Sequence, residues 1–62
     1  MEIKTVGNQI AMLRKQKGLT QNDLGERLGV SFQAVSKWER GETLPDTAIL
    51  LDMAEVLETT VD

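Results

Sequence analysis

The stretch TQNDLGERLGVSFQAVSKWERG, residues 20–41, decides how this chain folds. Thr20 with Asp23 three residues on resembles a capping box, the signature of a helix start. Leu24 and Leu28, four apart, give that helix its buried stripe, and Gly29 stops it. Ser31 is placed to cap a further helix running from about Phe32 to Arg40, which Gly41 ends. Only Gly29, Val30 and Ser31 lie between the two. Upstream, Val6, Ile10 and Leu13 form one apolar stripe of a first helix, with Thr5 placed to cap it and Gly18 placed to end it. Downstream, GETLPD (41–46) carries turn chemistry, Asp46 is placed to cap a fourth helix, and Leu50, Met53, Ala54 and Leu57 repeat as its apolar face. No run alternates over enough residues to read as a strand. The expected fold is an all-α, compact cluster of four helices, with the start of a fifth at Val61–Asp62.

A three-residue turn containing glycine between two short helices is the signature of a helix-turn-helix, in which the helices cross steeply. Gly25 supplies a small residue where they approach, Gly29 tolerates positive φ in the turn, and Leu24, Leu28, Val30, Val35 and Trp38 supply apolar contact. Stepping about 100° per residue along 32–40 places Phe32, Ser36, Arg40, Gln33 and Lys37 on one arc of about 140°. Ala34, Trp38, Val35 and Glu39 occupy the other side, so Trp38 is expected in the core rather than as a stacking platform. The outer arc lacks carboxylates. It suits base reading, because Gln bonds adenine bidentately, Lys reaches guanine or phosphate, and Ser serves several base edges. A helix of this length, about 13 Å, fits a major groove of about 12 Å.

The segment 20–41, preceded by LRKQKGL (13–19) and followed by LPD (44–46), resembles the Xre/Cro/cI family of phage and bacterial repressors, and the resemblance covers residues 6–62. It implies a lambda-repressor-like DNA-binding domain of four to five helices that docks as a homodimer on two half-sites of a double-stranded operator, about 34–36 Å apart. It implies regulation of transcription, with repression as the expected outcome. A reducing, cytoplasmic setting is the default expectation from a sequence without cysteine, apolar span or visible leader. By this resemblance Gln21 anchors on a phosphate, where its other role is simple helix-start polarity, and Thr20 beside it reaches the DNA backbone. Backbone N–H groups at that helix start suit a phosphate oxygen. The family's base readers match Phe32, Gln33, Ser36 and Lys37, with Ser31 at the head of the same helix. Phe32 departs from the polar residue often found there and reads either as a contact to a thymine methyl or as a surface aromatic. Arg40 meets a phosphate or favours the helix dipole. Arg14 and Glu39 match a structural ion pair bridging the first and third helices. Gly25 stands where alanine is more usual, at a helix-propensity cost of about 0.5–1 kcal/mol. Glu58 stands where the family often has a glycine ending the fourth helix.

Composition sets the outer limits. A chain of 62 residues makes one domain, read as the N-terminal part of a longer protein. A domain of this size hides only about 60% of the surface its unfolded form exposes, so its stability is marginal. With no cysteine or histidine, disulfides and the usual zinc sites are excluded. Met12 and Met53 read as filler or surface. No apolar run approaches a membrane span, and no secretory leader is visible. Glu42, Asp46, Asp52 and Glu55 have no His or Cys company, so neither a metal, a cofactor nor a catalytic role is expected. The formal charge is −3, yet residues 1–40 hold all 7 basic residues against 4 acidic ones, and residues 41–62 hold 6 acidic and no basic residues. That acidic third supports an alternative, a protein-interaction module such as an antitoxin or a coactivator-like bridge.

Overall fold

The computed structural model describes residues 3–58. Its helices are α1 (Ile3–Gln16), α2 (Gln21–Leu28), α3 (Phe32–Glu39) and α4 (Thr47–Glu58), and no strand occurs among the described residues. The fifth helix expected from Val61 lies outside them.

Local chemistry sets the boundaries. The capping box of α2 forms in both directions: Asp23 N–H donates to Thr20 Oγ1 and Thr20 N–H donates to Asp23 Oδ2, each at 2.9 Å. Ser31 Oγ accepts from Ala34 N–H at the start of α3, and Asp46 Oδ1 accepts from Ile49 N–H at the start of α4. Three helices end in one way. After α1, Leu19 N–H donates to Arg14 O; after α2, Val30 N–H donates to Gly25 O; after α3, Glu42 N–H donates to Lys37 O. Each is the long bond of a Schellman motif, with Gly18, Gly29 or Gly41 as its positive-φ residue. Gly29, at φ 74°, lets the chain turn in three residues from α2 into α3.

Two expectations need correction. Thr5 does not cap α1, which begins at Ile3. Ile3 lies three residues before Val6 and extends the apolar stripe by a turn, and this partial burial outweighs the preference of threonine for a cap. The third helix closes at Glu39, with Arg40 as its cap residue.

The core joins Ile10 of α1, Leu24 and Leu28 of α2, Val35 and Trp38 of α3, and Met53 and Leu57 of α4. Leu24 and Val35 are completely buried, and they stand where α2 and α3 cross. The apolar face read on α4 is wider than its contact. Met53 and Leu57 are buried, but Leu50 is 43% exposed, and with Ala54 it lines an open groove against Val6, Ile10 and Leu13 of α1. Met12 is exposed.

The approach of α1 to α3 depends on Gly7. A Cβ on Gly7 would stand 2.2 Å from the Trp38 carbonyl oxygen and 2.9 Å from that of Glu39. Any side chain there would force the helices apart.

Candidate nucleic-acid interface

Glu39 is the one carboxylate on α3, and it is turned away from the outer arc. Arg14 Nε donates to Glu39 Oε2 at 2.7 Å, Arg14 Nη2 donates to Oε1 at 3.1 Å, and Arg14 Nη1 donates to Leu19 O at 2.8 Å. Both side chains are about nine-tenths hidden from solvent. Gln21 Nε2 adds a third donor to Glu39 at 3.0 Å. One carboxylate thus ties α1, α2 and α3 together. Burial pushes the Glu39 carboxyl up, but the hydrogen bonds from Arg14 and Gln21, with the nearby positive charges, outweigh it and hold the group below its ordinary value. The same hydrogen bond holds the Arg14 guanidinium above its own. Three committed donors explain how a charged pair survives in a core this small.

With Glu39 withdrawn, α3 presents Phe32 (49% exposed), Gln33 and Lys37 to solvent, and Ser36 half-buried among them. Val35 and Trp38 face the core, as the wheel predicts. Thr20, Gln21 and Phe32 meet around a shallow hollow at the start of α2, completed by Gly18, Leu19 and Asn22. Helix geometry leaves the Gln21 and Asn22 N–H groups without intrahelical acceptors, whereas that of Asp23 is taken by the Thr20 cap. Thr20 and Ser31 accept from backbone N–H through their hydroxyl oxygens, so each keeps its hydroxyl proton as a donor.

Two side chains stand differently from the simplest expectation. Gln21 is not a free polar group at a helix start: it is held by Glu39. Arg40 is not free either. Its Nε donates to Glu42 Oε2 at 2.8 Å, its Nη2 donates to Glu42 Oε1 at 3.3 Å, and its Nη1 donates to Ser36 Oγ. In the sequence Glu42 was weighed only as a metal or catalytic carboxylate, not as a partner of Arg40. The available signal was its position directly after Gly41, where a Schellman ending returns the chain toward its own helix.

Two short helices joined by a tight glycine turn, the second offering an acid-free polar face, define a helix-turn-helix domain. The helix-turn-helix family profile matches residues 10–62. The chain is 40% identical over 62 residues to an uncharacterized HTH-type transcriptional regulator, YazB, of Bacillus subtilis, spanning all of this chain and 90% of that protein. It is 37% identical over 62 residues to repressor protein C2 of Salmonella phage P22, spanning all of this chain but 29% of the repressor. It is 39% identical over 54 residues to the HTH-type transcriptional activator BcrR of Enterococcus faecalis, covering 87% of this chain and 26% of the activator. No solved structure matches the chain. The protein belongs to the Xre/Cro/cI-type helix-turn-helix family of DNA-binding transcription regulators. Among the described residues no helix is long and apolar enough to cross a membrane.

Proposed function

We propose that this domain reads the sequence of double-stranded DNA by setting α3 into the major groove, and that it represses transcription in the cytoplasm as a homodimer formed by the full-length protein. The acid-free exposed arc of α3 carries the reading: Gln33 and Lys37 stand outward on it, while Arg14 keeps Glu39 off it. An unpaired carboxylate on that arc would repel phosphates on both sides of the groove. Gln33 takes an adenine edge and Lys37 a guanine edge or phosphate, with Ser36 and Phe32 beside them. The N–H groups of Gln21 and Asn22 seat a phosphate at the positive end of α2. Thr20 donates its hydroxyl there, and Gln21 adds the second N–H of an amide already oriented by Glu39. Ser31 and Arg40 complete the backbone contacts at the two ends of α3.

The test is selection of bound duplexes from a random pool, followed by titration of the recovered site across salt concentrations. Each phosphate neutralised contributes about −0.9 to the log–log slope, and a flat response refutes the reading. Gln33→Ala weakens the selected site by about 1–3 kcal/mol and relaxes preference at one position. Equal weakening on every duplex would make it a backbone contact instead. Capture of one stoichiometric protein with no selected DNA motif would favour the protein-interaction module.

A further inference from the structure

The end of α3 carries a second arrangement of charged groups. Glu42 accepts from both Nε and Nη2 of Arg40, at 2.8 and 3.3 Å, while Ser36 Oγ accepts a hydrogen bond from Nη1. Of the five guanidinium N–H groups, this leaves one on Nη1 and one on Nη2. Both point away from Glu42, and such a pair of donors suits a guanine edge or two phosphate oxygens. The clasp is built on fixed backbone. Glu42 N–H closes the Schellman ending on Lys37 O at 2.9 Å, and Ser36 lies on α3 one turn before Arg40. A long exposed side chain is thereby held at both flanks.

We propose that Glu42 is a positioning residue that sets DNA specificity through Arg40. The inference rests on α3 facing duplex DNA. The clasp aims the open donors and also cancels the charge of Arg40. An unpaired arginine attracts any phosphate, and this sequence-independent attraction raises competing binding everywhere on DNA. Paired with Glu42, Arg40 contributes little attraction at a distance, yet keeps two directed donors for one geometry. The Arg40–Glu42 hydrogen bonds hold the Glu42 carboxyl below its ordinary value, with Lys37 adding to the effect, so the clasp stays ionised at neutral pH.

The experiment compares binding by the full chain to the duplex recovered from a random pool and to a shuffled duplex of equal length and composition. Glu42→Gln keeps the backbone cap and removes the charge. It is expected to tighten binding to the shuffled duplex, to steepen the salt slope on it by about 0.9, and to lower the selected-to-shuffled ratio about tenfold. In an Arg40→Gln background the same substitution should leave the ratio unchanged, as a double-mutant cycle requires of a residue acting through its partner. A wild-type ratio preserved by Glu42→Gln overturns the proposal while leaving α3 as the reading helix. An equal loss in the Arg40→Gln background also overturns it. A wild-type chain that selects no duplex overturns both readings. Circular dichroism of each variant separates a changed ratio from a changed fold.

Discussion

Replacing Gly7 by alanine sets two known effects against each other. Alanine in place of glycine within a helix is favourable by about 1 kcal/mol through propensity alone. The new Cβ would stand 2.2 Å from the Trp38 carbonyl oxygen, and both of its closest neighbours are backbone atoms of α3. Ordinary contact requires a retreat of about 1 Å, and a helix backbone cannot rotate aside as a side-chain tip does. Overpacking of this kind costs about 1–3 kcal/mol and sometimes more. The retreat also stretches the Arg14–Glu39 pair, since Arg14 lies two turns further along α1 on the same buried side. With the stretched pair added to the overpacking and the propensity gain set against them, a net loss of about 1–2 kcal/mol follows, equivalent to about 4–16 °C in Tm for a domain of this size. Thermal and urea unfolding followed by circular dichroism measure it. The paired control is Asn8→Ala, one residue on, exposed on the same helix and expected to stabilise by about 0.5 kcal/mol. A Gly7→Ala protein as stable as the wild type would refute the claim that a close α1–α3 contact requires glycine.

Three other perturbations bear on the same framework. Thr20→Ala removes the acceptor for Asp23 N–H and should cost about 1 kcal/mol in urea unfolding, with no change in cooperativity. Arg14→Met leaves the Glu39 carboxylate buried without its main partner, and should destabilise by about 2 kcal/mol; wild-type stability would mean the pair contributes nothing. Glu39 and Asp23 both have folded values below the ordinary 4.5 and 3.8, so the stability they contribute is complete above those values and is lost as pH falls through the lowered ones. The urea midpoint should therefore drop only below about pH 4.5, and Glu39→Gln should flatten that acid limb. An unchanged limb would place the titration elsewhere.

The sequence foretold what depends on neighbours along the chain. The caps Thr20, Ser31 and Asp46 and the glycines ending the helices all act within about five residues, and the structure has them in those roles. Trp38 facing the core followed from helical period alone. The α1 start at Ile3 was missed because partial burial there outweighs a local cap preference. Gly7 was overlooked because its importance comes from a carbonyl 31 residues away, and composition carries no trace of that contact. Leu50 and Ala54 belong to the apolar face that periodicity marks on α4, yet both stay exposed, because periodicity does not say how much of such a face a partner covers. Among the candidate contacts, the types and arc of Gln33 and Lys37 were legible. The clasp on Arg40 was not, since it needs the turn geometry after Gly41.

The withdrawal of Glu39 toward Arg14 has an evolutionary consequence. Val35, Trp38 and Glu39 anchor α3 from behind, so the outward side chains at 32, 33 and 37 contribute little to the packed interior. If α3 reads DNA as proposed, mutation at those positions retunes the target almost without endangering the scaffold. The helix behaves as an exchangeable cartridge in a fixed housing, and a library varied at those three sites should yield folded proteins with divergent targets.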